Sequence, residues 1–241
     1  LLWRAIQADE ALSPVDWAVY LVAWGDCPGS MVDLADRARV SRNTARRSCA
    51  RLAGRGWLKT VSKGSSKVPT ALVPEYCQAE MARRLLEESR IAAYKGEFLM
   101  RRYLDWCLVS NRYIDNARPA ALISPITQER LELDRLYLDE AVGFEYNGPQ
   151  HYRQTDMFNS PKAIKDQQTR DILKKGLSLK ANITLVIITA DQLHPDILEI
   201  MVPPQLKRRP VDKHGPYYQA FASLSVNFTG EVRSWSARKG G

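Results

Sequence analysis

Asp134 and Glu145 are the residues of this chain best placed to do chemistry, because two short apolar runs bring them to one point. Leu131, Leu133, Leu136 and Leu138 lie in the first run, and Ala141, Val142 and Phe144 in the second. Asp139 and Glu140 sit between them as the reversal point of a β-hairpin. A loop of those two residues, or of four with Leu138 and Ala141, gives one and the same register, in which Asp134 faces Glu145. Like charges directly opposite in a strand pair are destabilising. A cation between them removes that cost, and paired carboxylate oxygens suit a hard divalent metal. The competing reading is a surface hairpin with both acids turned to solvent.

The second run continues into Tyr146-Asn147-Gly148-Pro149-Gln150-His151, a polar stretch that turns at Gly-Pro. His151 carries a side chain that titrates near neutrality, which suits a general acid or base. Gln150 beside it can orient a water or a phosphate oxygen. The competing reading of His151 alone is a structural loop histidine.

The stretch E-Y-N-G-P-Q-H from Glu145 to His151, with Asp134 before it, resembles the PD-(D/E)XK nuclease superfamily. It is most similar to the branch with E-x-D/N-G-x-Q-H, to which very-short-patch-repair endonucleases belong. The resemblance covers roughly residues 97–192. It implies a restriction-endonuclease-like α/β (α+β) sandwich with a mixed sheet, and hydrolysis of DNA phosphodiester bonds with Mg²⁺, for which Mn²⁺ can substitute. By that resemblance Asp134 and Glu145 are the metal ligands. Glu97, at the start of the helix before the hairpin, matches an acid that many members carry near the metal; it reads equally as a charge favoured at a helix N-terminus. Asn147 stands where the superfamily usually has Lys, and a neutral side chain there puts full activity in question. Asp166, Arg170, Asp171 and Lys174 lie on a helix that resembles the one following the branch motif. Asp166 and Arg170 also read as a simple i,i+4 salt bridge.

The elements that must position these residues are legible around them. Glu75 to Val109 contains no proline and a single glycine, Gly96, and reads as one helix to about Tyr94 and another from Gly96. Arg112 to Arg118 reads as loop, and Ala121-Leu122-Ile123 as a first strand. After the polar loop, Ser160-Pro161 starts a helix that Gly176 is expected to end. Ile183 to Ala190 is a short apolar run rich in β-branched residues and reads as a buried central strand.

The N-terminal third has a different grammar. Ser13-Pro14 starts a first helix, Ser30 a second and Ser41 a third, each a good N-cap. The third helix carries an apolar stripe of Ala45, Cys49 and Leu52, and Gly54 reads as its C-terminal cap. Its other positions hold Arg42, Asn43, Thr44, Arg46, Arg47 and Arg51. A basic hairpin with Lys63 and Lys67 follows. This order resembles a winged helix-turn-helix domain. The resemblance implies that Arg42, Asn43, Thr44 and Arg46, with Arg47 beside them, meet the major groove, and that Lys63 and Lys67 touch phosphates or the minor groove. A solvated helix face, or a winged helix that binds protein, is the competing reading.

Charge agrees with a nucleic-acid partner. The net charge is +8, and the ends carry it: residues 1–74 have 11 basic and 6 acidic side chains, residues 207–241 have 7 and 2, and residues 75–206 have 17 and 19. Phosphate neutralisation supplies most of the affinity of basic proteins for nucleic acid. The four cysteines show no C-x-x-C spacing, so neither a zinc site nor a disulfide framework is expected. No apolar run is long enough to span a membrane. The first residue is not Met and no signal-peptide pattern follows it, so the expectation is a trimmed N-terminus and a cytoplasmic protein. No P-loop appears, which argues against a motor.

The expected organisation is a winged helix-turn-helix over 1–74, a connecting helix over 75–96, a nuclease domain over 97–206 and a basic tail over 207–241. In the tail, Tyr217, Tyr218, Phe221 and Trp235 are expected to anchor it on the protein body, and residues 236–241 to be disordered. The expected function is Mg²⁺-dependent cleavage of double-stranded DNA, with a homodimer or sequential nicking where both strands are cut. The alternative is a DNA-binding transcriptional regulator whose nuclease-like domain is inactive. A nuclease acting on RNA or branched DNA is a weaker third.

Overall fold

The computed structural model describes residues 6–26, 28–63, 66–110, 112–148 and 161–238; side chains at 26, 63, 66, 161–167 and 235–238 lie outside that description. The chain is a mixed α/β protein with eight helices and a mixed four-stranded sheet among the described residues. It divides into two compact units: Leu1–Glu87 with Arg208–Ala220, and Glu88–Lys207 with Phe221–Gly241.

In the first unit, α1 (Pro14–Asp26), α2 (Met31–Arg37) and α3 (Arg42–Gly54) precede an antiparallel hairpin of β1 (Leu58–Lys63) and β2 (Ser66–Ala71). The caps form as the serines dictate. Ser30 accepts from the Asp33 amide and Ser41 from the Thr44 amide, each satisfying one orphan helical N–H. Gly54 is the last residue of α3 rather than its cap; the left-handed residue is Gly56, at φ 77°. Val19, Tyr20, Ala23, Leu34, Cys49, Leu52 and Trp57 form one apolar core. Trp57 has no exposed surface, and its indole N–H donates to Asp9.

The next helix, α4 (Glu75–Ile91), lies mostly in the first unit and ends in the second, which also holds α5 (Lys95–Cys107). The sheet follows in the order β3 (Tyr113–Ala117), β4 (Leu133–Tyr137), β5 (Val142–Asn147), β6 (Thr184–Thr189). The first two pairings are antiparallel and β5–β6 is parallel. The parallel pair needs a crossover, and α6 (Pro161–Lys180) supplies it. Leu173, Leu177 and Ala181 pack with Leu133 and Leu136 on one face of the sheet. On the other face α5 approaches Tyr146, and its Asp105 binds the buried Arg135. A short helix, α7 (Pro195–Met201), and a long one, α8 (Pro216–Arg238), complete the chain.

Several sequence expectations give way here. The strand before the hairpin is Tyr113–Ala117, not 121–123; Asp115 in it binds Arg135, a tertiary bond that no local pattern announces. Residues 121–123 form a turn with one bridge, Ile123 to Arg130. Helix α6 runs through Gly176 to Lys180, because that glycine faces open space and adjoining side chains still bury the helix. β6 lies at an edge of the described sheet rather than its centre, and only Ile188 of its six residues is fully buried. The expected basic tail is largely helix α8, in which Tyr217, Tyr218 and Phe221 are buried. Its helix extends to Arg238, past the point where disorder was expected; the side chain of Trp235 and residues 239–241 lie outside the description. No described helix is long and apolar enough to cross a membrane.

Candidate functional site

The hairpin forms in the expected register. Arg135 faces Phe144, Leu136 faces Gly143 and Tyr137 faces Val142, joined by a four-residue turn that Ala141 closes at φ 50°. The backbone pairing ends at Arg135 and Phe144, and Asp134 and Glu145 are the next residue on each strand. The two strands are tied at that point by a 2.6 Å hydrogen bond that the Tyr146 amide donates to Asp134 Oδ2. Side chains alternate across a strand, so Glu145 and Asn147 share a face and Tyr146 points to the other. That opposite face is tightly filled: a Cβ on Gly96 would lie 2.1 Å from the Tyr146 ring. Glycine at 96 therefore lets α5 seat the strand that carries Glu145.

The two carboxylates do not lie in open solvent. Glu145 is 6% exposed and Asp134 half-buried. Burial pushes the Asp134 carboxyl above its ordinary value, although the Tyr146 amide and the charges of Lys174 and Arg101 pull the other way. Lys174 on α6 meets Glu145 directly, its Nζ donating to Oε1. Lys174 is 8% exposed, and a lysine is rarely buried without such a partner. A cation thus stands at the carboxylates, carried by the crossover helix.

Glu97 is near enough to Asp134 for that charge, after burial, to push its own carboxyl upward. Arg101 on the same helix ties the group together: it pairs with Glu97 and donates to the Asp134 carbonyl at 2.8 Å and to Asn116 at 2.7 Å. Asn147 is 4% exposed, and its Oδ1 has no hydrogen-bond partner among the described residues. Gln150 and His151, and the side chain of Asp166, lie outside the described residues; Arg170 is exposed on α6. Among the described residues no three acid, His or Cys side chains gather into a metal cage. Asp134 and Glu145 nonetheless fit a hard divalent cation: both are oxygen donors, they converge from paired strands, and their burial is a cost that a cation offsets.

Lys174 and Arg101 were not assigned roles from the sequence. For Lys174 a signal was available. It falls in phase with Ser178 and beside Leu173, Leu177 and Ala181, so it lies within the buried stripe of α6. A lysine inside an apolar stripe asks for a buried anion.

The first unit sorts its basic side chains into two classes. On α3, Arg51 and Arg55 just beyond it are held by acids. Arg51 donates to Asp16 at 2.7 and 3.0 Å, and Arg55 to Asp9 at 3.0 Å. Burial alone would raise the Asp16 pKa, but bonds from Arg51, the Ser13 amide and hydroxyls lower it to about 2. Arg42, Asn43, Arg46 and Arg47 are exposed, and none pairs with an acid among the described residues. Thr44 is half-buried and its hydroxyl lies 2.8 Å from Ser41 Oγ, so it serves the cap as well as the surface. Lys67 is exposed on β2; Lys63 ends β1, with its side chain outside the description.

Two viral proteins share part of this sequence. Uncharacterized protein 033L of Invertebrate iridescent virus 3 is 38% identical over 93 residues, covering 38% of this chain and 47% of that protein. Uncharacterized protein 307L of Invertebrate iridescent virus 6 is 32% identical over 114 residues, covering 42% of this chain and 58% of that protein. The chain spans about half the length of the curated relatives it matches. No family model and no solved structure matches it.

Proposed function

We propose that this protein is a metal-dependent DNA endonuclease whose first unit is a winged helix-turn-helix and whose second is a restriction-endonuclease-like domain. The observation that carries the reading is the placement of Asp134 and Glu145 on paired strands, locked by the Tyr146 amide and faced by the buried Lys174 ammonium. The antiparallel–antiparallel–parallel strand order, with α5 and α6 on opposite faces, supports it.

Asp134 and Glu145 would hold Mg²⁺, or Mn²⁺ in its place. Such an ion lowers the pKa of bound water and offsets charge on the phosphate. The protein's own residues set the geometry. Tyr146 fixes the Asp134 carboxylate, Arg101 fixes Glu97 and the Asp134 carbonyl, and Gly96 lets the strand close on α5. Arg42, Asn43, Arg46 and Arg47 are exposed along one helix, as a duplex-reading surface requires, with Lys67 on the hairpin for phosphate. His151 and Gln150 would serve proton transfer and orientation. The competing reading, a DNA-binding regulator with an inactive domain, rests on Asn147 in place of lysine, and Lys174 weakens it.

The test is cleavage of supercoiled plasmid with and without Mg²⁺ or Mn²⁺ by wild type, Asp134→Ala and His151→Ala. Metal-dependent nicking or linearisation that Asp134→Ala loses is the expected result. DNA binding without cleavage of plasmid, linear duplex or single strands under either metal would move the assignment to the regulator.

A further inference from the structure

Resting on the nuclease reading above, we infer that Lys174 is the catalytic cation of this site, delivered by helix α6 and not by the strand that bears the acids. Three observations carry it. Lys174 is 8% exposed, a costly position for a lysine unless its charge is used or paired. Its ammonium meets Glu145, one of the two converging carboxylates, and its charge reaches Asp134 as well. On β5 itself, Asn147 shares the face of Glu145 but carries no charge.

Charge balance shows why the site needs this ammonium. Asp134 and Glu145 bring two negative charges, which a bound divalent cation cancels. Lys174 then leaves the site with one positive charge, matching the single negative charge of a phosphodiester. In hydrolysis a water oxygen bonds to phosphorus while the bond to the leaving oxygen breaks. The water loses a proton to the general base, and the leaving oxygen takes one from solvent or an acid. Negative charge on the phosphoryl oxygens rises in between, and a fixed ammonium stabilises it. Lys174 keeps its proton throughout and acts by charge. Its flexible four-carbon stem lets the ammonium shift from Glu145 towards the phosphate when the carboxylates take up metal.

The same contact makes Lys174 a competitor for Glu145 before metal binds. This separates a catalytic lysine from a merely structural one. With Lys174→Met, Mn²⁺ binding measured by calorimetry on the full chain is expected to tighten several-fold. Plasmid nicking at saturating Mn²⁺ is expected to fall about a hundredfold. Asn147→Lys placed in the Lys174→Met background restores an ammonium on the same face and is expected to recover at least about tenfold of the lost rate. Cleavage by Lys174→Met within threefold of wild type overturns the assignment. So does joint loss of Mn²⁺ binding and cleavage that Asn147→Lys does not rescue. If Lys174→Met does not fold, the double variant, which retains one ammonium, decides: cleavage at a tenth of wild type or more supports the assignment, and a folded, inactive double variant overturns it. Wild type that binds Mn²⁺ and cuts no nucleic acid removes the nuclease reading and this one with it. Wild type that cuts alongside an equally active Lys174→Met removes only this one.

Discussion

Charge is handled in opposite ways at the two sites. On α3, Arg42, Arg46 and Arg47 are exposed, and the buried acids do structural work: Asp16 holds Arg51, and Asp9 holds Arg55 and Trp57. At the hairpin Glu145 is buried and Asp134 half-buried, and a lysine from another element meets Glu145. On the proposed function, the difference follows from the tasks. A surface that binds a polyanion gains from counterion release, so its charges must stay solvated and unclaimed. A site that stabilises developing charge gains from low local dielectric, so its charges must be desolvated and therefore paired. The arginines of α3 divide accordingly, and their position along the helix decides which are spent on the fold.

The sharpest break of this contrast is Asp134→Ala. It is expected to lower metal-dependent cleavage about a thousandfold while circular dichroism shows a folded protein. In the first unit Asp16→Ala is expected to cost about 2 kcal/mol in urea unfolding, since it strands Arg51 and the Ser13 amide. The same carboxylate gives that unit an acid limit. Its folded pKa, about 2, lies below the unfolded value near ~4, so its contribution is complete above about pH 4 and is lost as pH falls towards about 2. Urea midpoints measured across that window should slope less steeply in Asp16→Asn.

Gly96→Ala tests how the second site is seated. A methyl 2.1 Å from the Tyr146 ring forces the strand or α5 aside. The expected cost is about 1–3 kcal/mol in thermal unfolding, with a matching fall in cleavage. The smallest effect on stability belongs to Arg46→Ala, expected within about 0.5 kcal/mol of wild type. Its effect appears in DNA binding, where the slope of log affinity against log salt should fall by about 1. Equal stability losses in Arg46→Ala and Asp16→Ala would erase the distinction between exposed and structural charge.

The legible parts of the sequence were those whose cause is local. The serine caps of α2 and α3, the apolar stripe of α3 and the hairpin register all follow from neighbouring residues. Register was readable because a slip of one residue would turn every side chain to the wrong face. The strand at 113–117 was not, since its alternating exposed and half-exposed residues resemble a loop until Arg135 binds Asp115. Gly176 does not end α6 for a related reason: a glycine marks a helix end only if packing does not carry the helix through it.

By itself the sequence determined which residues could face one another across a tight turn, because chain connectivity and a side-chain period of two leave little choice there. It determined the caps for the same reason, since donor and acceptor lie three residues apart. Only the tertiary structure decided what compensates the carboxylates. Lys174 is brought to Glu145 by a crossover helix, and the strand β6 beyond it fixes where that helix lies. The apolar stripe around Lys174 asks for a buried anion, but which carboxylate it meets depends on how distant elements pack.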